Sequence, residues 1–554
     1  MLKNNRFTYK IKLAALALLL VTITLCGTSC GSIGGMFDFL EGDDNTSRDI
    51  SYDVDASMDD TENTEIPDTA PELFESTSFG DGLMITGYVG TDSVVKIPAQ
   101  INGKTVLAIG DKGIKDTKAE DGSELYITTV IVPASVTQIA FSAFSSCKRL
   151  ESLTVPFVGG RADDHTYIGY VFGSYSPGGN KSALPDSLKT VKAGGNVVAD
   201  EAFSGCENIE NIYIEDVTSV GKSAFKGCTA LKALHIPDTV TVIGESAFDG
   251  CASLADISLP FLGNGSDKLF LGAVFGAADY TKNHSYVPDT LRNVTIGTLS
   301  DIPEGAFYEC NNIRSISVKG DVNSVGKDAF YRCRKLKTLE IGAVNQLSPY
   351  AFAYCAALGE VKLAEDISDI PEGAFYGCSA LRTVSFGDNA NVMPSTVNNL
   401  GKGAFAYCES LTAMELSVGI TNIEEQAFYG CAYLLSVKLH NGITSVGDDA
   451  FKGCGNLKTL ELGTGIASIG KGAFSYCSSL KTLNIPANVN TFGEYAFAYC
   501  SYLEDVAIAC DNAAVGEGAF AACDKIVISV TPDSKTYEAL IESGLGNSNL
   551  KAPQ

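Results

Sequence analysis

"GAFSYCSSLKTLNIP" occupies Gly472–Pro486. A phenylalanine is followed three residues later by a cysteine. A leucine comes three residues after that, then alternating aliphatic residues and a proline. Close variants return down most of the chain. The motif's phenylalanine falls at 144, 203, 225, 248, 307, 330, 352, 375, 405, 428, 451, 474, 497 and 520, and the last six are 23 residues apart throughout. The other intervals are 22 or 23, apart from one of 30 and two of 59. Fourteen of the seventeen cysteines are therefore repeat positions, and only Cys26, Cys30 and Cys510 are not. A fixed period of this length is the mark of a repeat architecture.

Within one unit, the alternation at Leu483 and Ile485 is a strand pattern. Pro486 ends the strand, since it cannot donate to a ladder. The glycine that follows "SV" or "SI" in many copies suits a turn. The stretch around Phe474 is too short for a stable helix and predicts one helical or 3-10 turn. A unit with one strand and a few apolar residues cannot hide them alone, but stacked units bury a continuous column. Successive strands then pair in parallel at about 4.8 Å per coil. Ala473, Phe474, Cys477, Leu480, Leu483 and Ile485 are the residues predicted to face that column.

The cysteines invite a chemical reading first. Zinc needs ligands converging on a point, whereas one cysteine per coil makes a line. In stacked strands equivalent side chains point the same way, so their Cβ atoms stay about 4.8 Å apart. A disulfide wants Cβ atoms about 3.8 Å apart and turned toward each other. The prediction is a ladder of buried free thiols acting as small apolar plugs. Cys510 lies outside the pattern and is expected to be exposed.

The chain has 554 residues and a net charge of −26. Such a charge argues against nucleic acid and anionic lipid head groups as partners. About half of it sits in Gly31–Glu75, with fourteen Asp/Glu and one Arg. This aperiodic segment, through residue 78, reads as an acidic disordered tether. Asp53, Asp55, Ser57 and Asp59 alternate in the manner of calcium ligands. An EF-hand loop, however, needs Gly and Glu where Met58 and Thr64 stand. Ahead of the tether, Lys3, Arg6, Lys10 and Lys12 precede the apolar run Leu13–Leu25, the pattern of an export signal over residues 1–30. "LCGTSCGS" then resembles a bacterial lipoprotein signal, which implies lipidation at Cys30, although Gly27 stands where that signal prefers Leu. Plain secretion is the alternative. Any membrane contact is through this N-terminal anchor.

The units "CSSLKTLNIPANVNTFGEYAFAY" and "CASLADISLP" resemble the BspA-type leucine-rich repeat of bacterial cell-surface proteins. The resemblance implies a leucine-rich-repeat solenoid of α/β type, mostly parallel strands joined by short helical or 3-10 turns. It spans residues 79–530 as about fourteen full coils. "ITGYVGTDSVVKIPAQINGKTVLAIG" (Ile85–Gly110) resembles the family's opening, a degenerate first coil with Ile114 in the phenylalanine's place. The two 59-residue intervals carry long insertions near 157–190 and 261–293, and both contain a "PF…VFG…PD" pattern. Residues 531–554 form a C-terminal cap, whose short helix is stopped at Gly544.

Nothing in the chain makes a catalytic motif. His165, His235, His284 and His440 form no metal-ligand pattern. An enzyme site would have to be built on the insertions around His165 or His284. "VGKSAF" (Val220–Phe225) ends like a phosphate-binding loop but has Asp216 where that loop needs glycine. The chain is expected to be no enzyme, with no cofactor and no metal. One feature points to binding: a tyrosine one or two residues after the repeat phenylalanine, at Tyr308, Tyr331, Tyr354, Tyr376, Tyr407, Tyr429, Tyr476 and Tyr499. Stacked, these make an aromatic stripe that either shields the phenylalanine column or serves as a contact surface. The exposed strand positions, such as Lys481, Thr482 and Asn484, read as a solvated sheet face or an extended binding surface. The family resemblance implies surface display and adhesion to a host or neighbouring-cell surface protein. A glycan-binding or wall-associated structural role is the alternative. The sequence sets no oligomeric state.

Overall fold

Residues 66–553 are described by a computed structural model as a parallel β-solenoid. The export segment 1–30 with Cys30, and residues 31–65 of the acidic tether, lie outside the described residues. The repeat fold begins earlier than residue 79. A 3-10 turn at Pro71–Leu73 leads into a strand, Phe74–Phe79, paired antiparallel with Gly82–Tyr88. Phe74 is buried with its ring 5.5 Å from that of Tyr88. The acidic average of this stretch conceals the aromatic residue that anchors it.

Each coil has three sides. The first is the strand foreseen at Leu483 and Ile485. Ten such strands, from Val94–Lys96 to Thr338–Glu340, form one parallel ladder, and Thr482–Ile485 continues the pattern with Asp505–Ile508 and Val527–Ser529. On the second side the sequence predicts only a turn at the glycine after "SV" or "SI". The "SV" and "SI" dipeptides are two-residue strands in a ladder of their own, as in Asn422–Ile423, Ser445–Val446, Ser468–Ile469, Thr491–Phe492 and Ala514–Val515. Two residues are too few to show a period of two, so this ladder left no alternation to find. The third side carries Ala-Phe. The N–H of Cys477 donates to the carbonyl of Phe474 at 3.3 Å, an i to i+3 bond, but no helix follows because Tyr476 turns left-handed at φ 61°. The N–H of Phe474 instead reaches Ala496 of the next coil at 2.8 Å.

The core is the column those three sides enclose. From Phe307 to Phe520, ten phenylalanine rings stack at 5.1–5.6 Å with interplanar angles of 1–10°. All six residues assigned inward in Gly472–Pro486 are buried.

The two long insertions are coils in the stack. Thr190–Ala193 lies between Ser152–Val155 and Asn211–Ile214 in the ladder, and Asn293–Ile296 lies between Asp256–Leu259 and Ser315–Val318. Phe172 and Phe275 enter the ring column, 6.1 Å from Phe144 and 6.0 Å from Phe248. The 30-residue interval has a simpler cause: Thr383–Phe386 folds back as a hairpin onto Asn389–Ala390. At the C-terminal end, Ser534 caps the helix Lys535–Glu542, and Gly544 follows at φ 107°. The chain then adds an unforeseen last strand, Leu550–Lys551, parallel to Val527–Ser529. Cys510 is buried, contrary to expectation, at 2% exposure. It is sealed by this end structure, where Thr536 accepts the N–H of Ala513 at 2.8 Å.

Candidate functional site

The cysteine ladder is structural, and more specific than a row of plugs. The thiol of Cys477 donates to the carbonyl of Phe451 in the preceding coil at 3.4 Å. Cys355 does the same to Phe330 at 3.1 Å, and Cys378 to Phe352 at 3.0 Å. Cys147 bonds Ile114, the residue standing in for phenylalanine in the first coil, at 3.4 Å. The carbonyls of Phe330, Phe352 and Phe451 already accept a backbone N–H within their own coils, and the thiol fills the second lone pair across the coil boundary. Burial pushes the thiols of Cys378 and Cys454 up to about 12, so they are neither nucleophiles nor metal ligands at neutral pH.

The eight tyrosines do come together, in two runs. Tyr308, Tyr331, Tyr354, Tyr376, Tyr407 and Tyr429 succeed one another with centroids 5.0–5.5 Å apart. Tyr476 and Tyr499 stack at 4.5 Å and 6°. The coil between the runs carries Lys452, whose ammonium lies 5.8 Å from the centre of the Tyr429 ring. Position divides the set. Tyr308, Tyr331, Tyr376 and Tyr429, one residue after phenylalanine, are half-buried. Tyr354, Tyr407, Tyr476 and Tyr499, two residues after it, are exposed, Tyr476 to 47%. Half-buried and exposed members thus occupy different positions of the repeat.

The exposed four share a backbone feature. Their φ angles are 61°, 59°, 61° and 61°, a region that other coils fill with glycine, such as Gly377 and Gly430, or with Glu309, Arg332 and Ala522. Those two glycines serve a second purpose. A Cβ on Gly377 would meet the Tyr354 ring at 2.8 Å, and one on Gly430 would meet the Tyr407 ring at 3.1 Å. Each ring therefore lies over the bare backbone of the next coil. Burial and the neighbouring tyrosines raise the Tyr407 phenol to about 12.

Three participants carried no periodic signal. Tyr280, from the second insertion, extends the long run, 5.7 Å from Tyr308, and its hydroxyl donates to Glu304 at 2.9 Å. Arg332 lies over the rings of Tyr331 and Tyr354 at 5.1 and 5.7 Å while pairing with Glu309 at 2.7 Å. His284 meets the same Glu309 at 3.4 Å. This is an ion-pair cluster beside the stripe, without a nucleophile. His165 packs on Tyr170 at 4.5 Å, in the other insertion. No group of three or more His, Cys, Asp or Glu suited to a metal occurs among the described residues. None of their helices is long and apolar enough to cross a membrane.

The described residues thus form a parallel repeat solenoid with an aromatic row along one side of its coils. The family model for the BspA-type leucine-rich repeat region matches residues 123–162, 187–270, 281–397 and 398–527, about two thirds of the chain, and the chain belongs to that family. Solved structures share the fold. A leucine-rich cell surface protein from Faecalibacterium prausnitzii is 20% identical, with 86% of this chain and 98% of that one covered at a TM-score of 0.30. A leucine-rich repeat protein from Bacteroides ovatus is 19% identical, covering 88% and 100% at a TM-score of 0.31. An internalin from Listeria monocytogenes is 15% identical, covering 64% and 86% at a TM-score of 0.27. None of the curated proteins matches the sequence.

Proposed function

We propose that this chain is a non-catalytic binding protein, displayed outside the cell, that holds a protein on a host or neighbouring cell through the tyrosine edge of its solenoid. The observation that carries this is the exposed row of rings at Tyr354, Tyr407, Tyr476 and Tyr499, set on the left-handed turn that the coils share. A bulky residue at positive φ is disfavoured where glycine would serve, and strain of this kind collects at functional sites. The rings so placed are exposed and flat, properties favoured at protein interfaces. Display would come from the export segment and lipidation at Cys30, with secretion as the alternative. A glycan is the second candidate ligand, because the parallel Tyr476–Tyr499 pair offers a stacking platform.

The test is a protein and glycan array probed with the full chain and with a variant carrying Tyr→Gly at 354, 407, 476 and 499. Glycine keeps the left-handed backbone, so the variant should fold. Loss of the captured protein with the circular dichroism unchanged is the expected result. Unchanged capture removes the stripe from the interface, and capture of glycans alone selects the second candidate.

A further inference from the structure

A single row of side chains runs up the exposed face of the long ladder, one residue after the buried Leu or Ile of each coil. Backbone bonds from coil to coil fix its register from Glu151 to Lys337, and Gly359 and Arg382 carry it on in the next sheet, with the Arg382 N–H on the Gly359 carbonyl at 3.0 Å. In the early coils it alternates in charge, Glu151, Lys189, Glu210 and Lys232, and Ala255 then separates these from Arg292. Lys232 pairs there with Glu210. Opposite charges one coil apart are the habit elsewhere too, as in Lys226–Asp249, Lys402–Glu425 and Lys471–Glu494. From Arg292 the alternation stops. Five consecutive coils place Arg292, Arg314, Lys337, Gly359 and Arg382 in the row, with the Arg314 N–H on the Arg292 carbonyl at 2.7 Å and the Lys337 N–H on the Arg314 carbonyl at 2.8 Å.

Arg334 and Lys335 stand beside them, and no ion pair joins any of these six basic side chains to a described residue. Lys335 reaches only the amide of Asn312, and Arg292 donates to backbone carbonyls. Like charges directly opposed on neighbouring strands are destabilising. In a chain of net charge −26, nothing in composition makes such a row expected. The nearby acids are few: Glu340 and Glu360, with Asp256 and Asp289 already accepting from Asn293 and Asn312. The strand position next to the basic row is neutral on four of the five coils, at Asn293, Ser315, Thr338 and Thr383.

We propose that the row from Arg292 to Arg382 binds an acidic polysaccharide, its carboxylate or sulfate groups on the basic side chains and its hydroxyls on the neighbouring Asn, Ser and Thr. Charge density selects this over nucleic acid. The row offers four cations over five coils, about one per 6 Å, whereas duplex DNA carries one negative charge per about 1.7 Å. The surface is separate from the tyrosine edge, so the two readings stand or fall independently.

The experiment measures binding of the full chain to polygalacturonate, heparin, a neutral dextran and a single-stranded oligonucleotide. Arg314→Gln/Lys337→Gln is set against Lys458→Gln/Lys481→Gln, the other like-charged pair of the row, which Glu504 closes. Binding to one or both acidic polysaccharides, weakening with salt and absent for dextran, is expected. The first variant should weaken it roughly tenfold, with the second variant and the Tyr→Gly variant unchanged. No binding to either polyanion, equal loss in both Gln variants, or tighter binding of the oligonucleotide overturns the proposal. Polygalacturonate against heparin separates carboxylate from sulfate.

Discussion

At Tyr476 the backbone and the side chain want different residues. The φ of 61° favours glycine, and a left-handed conformation costs a non-glycine residue roughly 1–2 kcal/mol. The ring recovers part of that by stacking on Tyr499, and such pairs are worth about 0.5–1.5 kcal/mol. Tyr476→Gly therefore removes a strain and a contact of similar size, and should stay within about 1 kcal/mol of the parent in urea unfolding. Tyr476→Ala loses the ring and keeps the strain. It should be less stable than the glycine variant by about 1 kcal/mol, the reverse of the order seen in helices and strands. An alanine variant more stable than the glycine one would mean that the backbone at Tyr476 is not left-handed. Tyr429, half-buried one position nearer the core, has no positive φ to relieve, so glycine there only removes packing.

Elements that repeat were legible in the sequence, and elements that occur twice were only half so. Phe474, Cys477 and Leu480 recur often enough for their spacing to give the strand, the core face and the stacking. The "SV" ladder, two residues long, has no room to show a pattern. The insertions hid their nature because they lack the cysteine, and a buried asparagine does its work. Asn180 accepts the N–H of Gly169 at 2.8 Å and donates to the carbonyl of Ser204 at 3.0 Å. Asn283 accepts from Gly272 at 2.9 Å and donates to Gly305 at 3.2 Å. Accordingly Cys206 and Cys310, one coil further on, are buried like the others but bracket a boundary already bridged by an amide. The shared asparagine of the two insertions was the signal available for this. Asn283→Ala leaves a buried donor and acceptor unpartnered and should lower stability by about 1–3 kcal/mol in a urea melt. Exposed Lys282→Ala, its neighbour, should stay within about 0.5 kcal/mol. Equal small effects would mean that the insertion coil is not held through this amide. The tyrosine stripe was legible as a row, but its division into shielding and exposed members needed the left-handed turn, which composition does not announce.

Across the whole molecule, the thiol column makes stability depend on alkali. Burial holds Cys378 and Cys454 near 12 against an ordinary value of 9.0, and drives Cys355, Cys408, Cys431 and Cys477 upward by the same cause. Cys523, at the C-terminal end, is the exception, shifted down because Cys500 hydrogen-bonds to it. Below pH 9 these thiols are protonated in both the folded and the unfolded chain, and their burial contributes in full. Between pH 9 and 12 the unfolded chain releases protons that the folded chain keeps, so stability falls as pH rises through that window. Each such thiol forfeits about 1.4 kcal/mol per pH unit. Six of them act together in one stack, against a folded-state stability that is typically only about 5–15 kcal/mol. The solenoid should therefore hold its far-ultraviolet circular dichroism up to about pH 9 and lose it cooperatively within the next one to two units. The same thiols should resist iodoacetamide in the native chain at pH 8 and react after unfolding in guanidinium. A spectrum unchanged at pH 12, or rapid alkylation of the native chain at most of these positions, would show that the cysteines do not sit in a closed column.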